Sequence, residues 1–158
     1  IQFKGPVYKL GNALIDLIRT FIYRFKFKPY VEIENECTII PQDNLIAFVD
    51  CWNNSPKLEN SKNKTLLRYK PEVLKRLSKL DNSWFKFVVD NEEDWKEIYK
   101  DFIYKGLIKK EQVILMPEGI NREQLQDKYE FVVEMACREG VRFSNRLQVT
   151  IWDEVTGV

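Results

Sequence analysis

Histidine is absent from the 158 residues. Its absence removes Ser-His-Asp and Cys-His triads, His-ligated zinc and a histidine general base, so any chemistry has to use other groups. Cysteine is scarce. Cys37, Cys51 and Cys137 are separated by 14 and 86 residues, spacings that match neither a zinc knuckle nor an iron–sulfur ligand run. Free buried thiols in a cytosolic chain account for them. No charge of one sign dominates: 25 Lys and Arg stand against 24 Asp and Glu, a net +1. Bulk charge therefore gives no reason to expect nucleic acid or an anionic membrane as partner. No apolar run reaches the ~18 to 20 residues of a membrane span, because Arg19, Arg24, Lys26 and Lys28 interrupt the greasiest stretch. A signal-peptide pattern is also missing, and a cytoplasmic location is expected. Asn53-Asn54-Ser55 and Asn63-Lys64-Thr65 spell glycosylation sites, but the spelling has no meaning without secretion. Gly-rich nucleotide loops are lacking. The chain starts at Ile1 rather than Met, so further residues ahead of it are expected.

What is present suits one globular domain over 1–158, with 44% hydrophobic and 13% aromatic residues to build a core. Leu10, Leu14, Leu17, Ile18, Phe21 and Ile22 recur at helical spacing and predict a helix over about 9–27, ended by Pro29. Residues 31–34 alternate like a short strand. The apolar run 45–49 predicts a strand buried on both faces. A polar loop follows over 53–65, and Pro71 then opens a helix carrying Val73, Leu74, Leu77 and Leu80. Residues 84–89 read as the next strand. Asp90 to Glu93 read as a capping box with acids in the first helical turn, ahead of Trp95, Ile98, Tyr99, Phe102 and Ile103. A strand over 112–116, a Pro117-Glu118-Gly119 turn, a helix capped by Asn121 and Gln124 and ended by Gly140, and a last strand over 147–152 complete the chain. Strands alternating with helices across short loops predict an α/β fold of about four or five βα units on a parallel sheet. A full eightfold barrel needs ~200 to 250 residues, which leaves an open sheet or part of a barrel.

Ligands of parallel α/β folds bind at the carboxyl ends of the strands. That rule selects Glu34, Asn35 and Thr38, then Ser55, Pro56 and Lys57, then Asn91, Glu92, Glu93 and Asp94, then Pro117, Glu118 and Gly119. Lys57 beside Ser55 offers a cation and a hydroxyl to a carboxylate or phosphate, although a solvated loop lysine explains it as well. Glu34 suits an amine or a ribose, or caps a neighbouring helix. The 91–94 segment is fully explained as a helix cap. Lys86 inside a strand is costly if buried unpaired, and reaches the rim otherwise. The cationic and aromatic interleaving over 23–30 resembles a nucleic-acid or membrane surface, but also a solvated helix end over a core.

The order of these segments carries more than any one of them. Ser55-Pro56-Lys57-Leu58, then Phe85-Lys86-Phe87-Val88-Val89-Asp90 with Glu93-Asp94, then Leu115-Met116-Pro117-Glu118-Gly119, then Arg142-Phe143-Ser144, Arg146-Leu147 and Gly157-Val158 together resemble the C-terminal half of 7-carboxy-7-deazaguanine synthase, a radical-SAM family. The matching segments span about 30–158 in family order. The resemblance implies a partial (β/α) barrel of the radical-SAM type, with S-adenosylmethionine, a [4Fe–4S] cluster and Mg²⁺ as cofactors, usually in a homodimer. It implies conversion of 6-carboxytetrahydropterin to 7-carboxy-7-deazaguanine on the way to queuosine and other 7-deazapurines. Position by position, Ser55, Pro56 and Lys57 match a segment that contacts S-adenosylmethionine, and Asn91, Glu92, Glu93 and Asp94 match another. Glu34 and Thr38 agree with the ends of a Glu-Thr-Asn-Gly-Thr segment, while Cys37 stands where its glycine is usual. Gln148 falls where a substrate-facing histidine is frequent, and can give and accept hydrogen bonds but not carry a proton at neutral pH. Val158 would offer its terminal carboxylate to the pterin-type substrate.

Two departures qualify what the resemblance implies. The Cys-x-x-x-Cys-x-x-Cys run that holds the cluster is absent from the sequence. The family's Gly-Gly-Glu-Pro motif falls on Phe3-Lys4-Gly5-Pro6, where only the proline survives. The readings that follow are a C-terminal portion needing an N-terminal cluster-binding half for activity, a degenerate non-catalytic homologue that binds or scaffolds, and an unrelated α/β binding module. The cluster and Mg²⁺ are expected only where the other half supplies them.

Overall fold

A computed structural model describes residues 7–155, with side-chain surroundings from residue 11 onward. The 3–6 motif and Val158 lie outside the described residues. Helix α1 (Val7–Phe25) leads into strand β1 (Glu32–Asn35), the short helix α2 (Asp43–Ile46) and strand β2 (Cys51–Asn54). Helices α3 (Thr65–Arg68) and α4 (Pro71–Leu77) precede β3 (Ser83–Val89). Helix α5 (Glu92–Glu97) continues as a wider π-turn through Ile98–Ile103 and precedes β4 (Val113–Pro117). Helix α6 (Arg122–Glu139), β5 (Arg142–Phe143) and α7 (Leu147–Trp152) follow.

All five strands are parallel and lie in the order β1-β2-β3-β4-β5. Crossovers between parallel neighbours are right-handed as a rule, and with the strands in sequence order that rule puts the connecting helices on one face, the geometry of a barrel wall. Burial along β3 agrees: Ser83, Phe85, Phe87 and Val89 are buried, while Trp84, Lys86 and Val88 between them are half-buried. The covered face packs Phe85, Phe87, Val113 and Leu115 against Leu74, Leu77, Ile98, Phe102, Val132 and Met135. The opposite face is mixed, with Glu34, Asn53, Lys86 and Arg142 beside Trp84, Val88 and Ile114. Strand register brings Glu34, Asn53 and Trp84 into one row and Lys86, Ile114 and Arg142 into another. Arg142 reaches across β4 to stack its guanidinium 3.7 Å from the Trp84 ring centre. The fold is thus a five-stranded parallel α/β wall, as expected, consistent with a partial barrel.

Two expected strands are absent. The 45–49 run is helical: the Leu45 and Ile46 N–H groups both donate to the Gln42 carbonyl, and Phe48 and Val49 continue the turns. A short apolar run fits a buried helical turn as well as a buried strand, and here Leu45 and Val49 bury one side of it. The strand is instead the polar Cys51–Asn54 segment. Likewise 147–152 is helix α7, and β5 is the two-residue segment before it. The β-branched character of Val149, Thr150 and Ile151 is overridden by contacts from α6.

Polar β2 is possible because its buried asparagine is satisfied. Asn54 is fully buried; its Oδ1 accepts from Asn35 Nδ2 at 2.8 Å, and its Nδ2 donates to Ser83 Oγ at 2.7 Å and to the Trp84 carbonyl at 3.0 Å. Asn35 Oδ1 in turn accepts from the Cys37 N–H at 2.8 Å. Three strands are thereby tied beneath the rim. Ahead of β2, Asp50 accepts from Lys28 Nζ at 2.5 Å and from the Val31 N–H at 2.8 Å, fixing the entry to β1.

Replacing Asn54 by alanine orphans the buried donors and acceptors around it. The expected loss is about 2 to 4 kcal/mol, at ~1 to 3 kcal/mol per orphaned group. Urea unfolding measures it, and an unchanged midpoint would refute the role of this network. Asp50 gives a pH test. The Lys28 hydrogen bond, followed by that from Val31, holds its carboxyl below the usual carboxylate range. A lowered folded-state pKa stabilises above the ordinary value of about 3.9 and is lost as pH falls through the folded one. Below pH ~4, the melting temperature of the wild type should therefore drop more steeply than that of Asp50→Asn; parallel curves would contradict this.

Candidate functional site

The rim above the carboxyl ends of the strands holds a cavity of about 530 Å³, bordered by Glu34, Ser55, Lys57, Lys86, Met116 and Gln148 among others. A second cavity of about 350 Å³ shares Ser55 and Lys57 and adds Pro56. The first size suits a single small ligand.

Each side chain is placed by its backbone. The Ser55 N–H donates to the Asn35 carbonyl at 2.7 Å, so the ladder between β1 and β2 continues one step past the strand. Ser55 is 9% exposed and borders both cavities. Behind the loop, Leu58 is sunk into the core. Arg68, itself 8% exposed, donates to the Lys57 carbonyl at 3.1 Å and to Glu97 at 2.7 Å. A buried guanidinium with a half-buried carboxylate beside it fixes the 55–58 segment from below. On β3 and β4, Lys128 of α6 bridges Asp90 and Glu118, the latter at 2.8 Å. Desolvation lowers the Lys128 pKa, but the hydrogen bonds to the two carboxylates outweigh it and the net shift is upward. The bridge fastens the carboxyl ends of both strands to one helix.

Three cations border the cavity: Arg146 donates to the Gly119 carbonyl at 2.8 Å, and the two lysines are paired with acids more exposed than themselves. Lys86 meets Glu34 at 3.1 Å, with the lysine side chain 22% and the glutamate 68% exposed. Lys57 meets Glu36 at 3.3 Å, at 31% and 61%. Exposed ion pairs are weak, so a ligand carboxylate can take the place of either glutamate at little cost. Glu34 remains available to an amine or hydroxyl of the same ligand.

Of the sequence candidates, Glu34, Ser55, Lys57 and Gln148 meet at the 530 Å³ cavity and Pro56 borders its neighbour. Gln148 arrives there on a helix rather than on the expected strand. Asn91, Glu92, Glu93 and Asp94 line a separate open cleft, reached from the smaller cavity past Asp90 and Asn60. Their side chains already have structural work: Asn91 and Asp94 form a reciprocal capping box on α5, Glu92 pairs with Arg138 at 2.9 Å and Glu93 with Lys96 at 2.5 Å. Sequence reasoning missed the wall that α7 and residues 153–155 add to the cavity. It also missed Arg68, whose partners lie 11 and 29 residues away in sequence.

The cysteines do not meet. Cys37 is buried, whereas Cys51 is half-buried and Cys137 exposed on α6, which corrects the expectation of three buried thiols. Among the described residues no group of three Cys, Asp or Glu side chains is placed to hold a metal. These residues therefore do not fit an iron–sulfur cluster. The cavity's size and its paired charges suit one small ligand that carries both an anionic and a cationic group. Cys37 adopts φ of 58°, the left-handed region favoured by the glycine that the resemblance puts there. No helix among the described residues is long and apolar enough to cross a membrane.

No protein-family model matches the chain. The chain is similar to the 7-carboxy-7-deazaguanine synthase of Pyrobaculum aerophilum, with 30% identity over 127 residues, covering 80% of this chain and 54% of that protein. It thus spans about half the length of this curated relative. The two proteins are distant relatives.

Burial pushes the Cys37 thiol well above its usual pKa, and the neighbouring Lys57 does not compensate. Because the thiolate is the reactive form, Cys37 should resist a disulfide reagent at pH 8 until the protein is unfolded. Cys137 should react first. Mass spectrometry of labelled peptides reads the order, and early labelling of Cys37 would contradict the packing described here.

Proposed function

We propose that this chain forms the cofactor-binding rim and substrate-facing wall of a radical-SAM enzyme of the 7-carboxy-7-deazaguanine synthase type. The observation that carries the reading is the meeting of Glu34, Ser55, Lys57 and Gln148 at one cavity above a parallel sheet; the similarity over 80% of the chain supports it. The ligand is S-adenosylmethionine, with Lys57 or Lys86 gripping its carboxylate, Glu34 its ammonium or ribose, and Ser55 hydrogen-bonding beside Lys57. Gln148 faces a pterin-type substrate, 6-carboxytetrahydropterin, whose product 7-carboxy-7-deazaguanine leads to queuosine and related 7-deazapurines. It can orient this substrate but not take a proton from it. The cluster is held by residues outside this chain, on an N-terminal half or a partner carrying the three thiolates, and any Mg²⁺ comes with that part. A homodimer is the proposed assembly.

The scattered cysteines favour one second reading, a homologue that keeps the binding site and has lost the radical chemistry. Anaerobic iron and sulfide reconstitution of the native, full-length polypeptide separates the two. About four irons per chain supports the enzyme, and S-adenosylmethionine or pterin binding with no iron supports the second reading.

Lys57→Ala should weaken S-adenosylmethionine binding by one charge-assisted contact, roughly 1.5 to 3 kcal/mol or about 10- to 150-fold in affinity. Calorimetry checks this, and equal affinities in the two proteins would sink the assignment of Lys57.

A further inference from the structure

Helix α7 forms one wall of the 530 Å³ cavity, yet little apolar packing holds it there. It is six residues long and Val149 is its only buried residue. A helix this short does not persist on its own propensity, and one buried valine is a small anchor. Leu147, Ile151 and Trp152 remain 62%, 47% and 44% exposed. Ahead of α7, Arg146 donates to the Gly119 carbonyl at 2.8 Å, and after it Glu154 accepts from Asn121 Nδ2 at 3.3 Å; the carboxyl end of α7 itself is held by a pair of reciprocal contacts with α6. Arg122, the first residue of α6, donates from Nε to the Thr150 carbonyl at 3.0 Å and from Nη2 to the Ile151 carbonyl at 2.7 Å. Its own backbone N–H donates to Asp153 Oδ1 at 2.8 Å. A cation thus covers the negative end of α7 while a carboxylate covers the positive end of α6. Asp153 holds φ of 57° to make its side of the exchange. Tyr129, seven residues on along α6, adds a hydroxyl contact to Thr150 Oγ1 at 2.8 Å. Arg122 itself does not border the cavity.

We propose that Arg122 is the positioning residue of this site: it clamps α7 over the cavity and so sets the place of Gln148 without touching ligand. The inference rests on the reading of the cavity as a ligand site, but the position of α7 is testable without a ligand. The measurement is amide hydrogen exchange of 149–153, together with acylation rates of Lys57 and Lys86, on the wild type, Arg122→Lys and Arg122→Ala. The expected result is at least a tenfold faster exchange of α7 in Arg122→Ala and a several-fold faster acylation of both lysines, with the melting temperature of the remaining core nearly unchanged. Arg122→Lys keeps the charge but loses the fork and should fall between. Asp153→Ala breaks the exchange from the other side and should loosen the same amides, which keeps the test decisive if Arg122→Ala fails to fold. Unchanged α7 exchange would overturn the clamp. Faster exchange with unchanged lysine acylation would overturn the claim that α7 closes the cavity. S-adenosylmethionine affinity should fall at least fivefold in Arg122→Ala; a wild type that binds none would refute the reading of the cavity, while exchange and acylation would still decide the role of Arg122.

Discussion

The structure depends on a polar constraint inside its most buried layer. Asn54 sits fully buried between β1 and β3, and its amide is satisfied on both sides by Asn35, Ser83 and the Trp84 carbonyl. Strand β2 has four residues and a single large apolar side chain, Trp52, on its covered face. Apolar packing alone therefore specifies its register poorly, and a slip by one residue would send Asn54 to the open face and Asn53 into the core. The amide ladder removes that freedom. It also fixes Asn35, whose side chain receives the Cys37 N–H, so the turn above β1 is set by the same network.

On that base the rim is assembled by contacts made from beneath. The buried Arg68 holds the 55–58 segment by its backbone, Lys128 ties the ends of β3 and β4 together, and Arg122 reaches the carbonyls at the end of α7. None of the three is among the groups that face the 530 Å³ cavity. The cavity's two lysines, by contrast, are lightly engaged, each resting against a glutamate more exposed than itself. Rigidity and readiness to exchange partners are thus divided between two sets of residues, as ligand binding at modest cost requires.

Much of this was legible in the sequence because the signals were local. Pro71 opens α4, Asn91 and Asn121 cap α5 and α6, and Gly140 ends α6 at φ of 63°, each a property of a few neighbouring residues. The parallel sheet followed from the alternation of such elements, and the rim from the sheet. The two misread strands mark where local signals stop. An apolar run over 45–49 has no period that separates a helical turn from a strand, and the β-branched residues of 147–152 become helical through partners on α6, 28 and 29 residues away. The anchoring arginines were invisible for the same reason, since nothing near Arg68 or Arg122 in sequence indicates which carbonyls they meet. Glu34, Ser55 and Lys57 follow from the strand-end rule and Gln148 from the resemblance, and the four meet at one cavity. The 91–94 segment was read both as a cap and as a cofactor loop, and its side chains are engaged in capping and surface ion pairs.

Cys37 joins two of these themes. Its backbone is left-handed, where a side chain costs strain, while its sulfur is fully buried in the core. Replacement by glycine relaxes the backbone and leaves a void; replacement by any larger residue keeps the strain and overfills the site. No single substitution improves both at once. The position therefore couples turn and core: relief of the one is paid in the other, and only a paired change, glycine here with a larger neighbour to fill the space left by the sulfur, relaxes the turn and keeps the core closed.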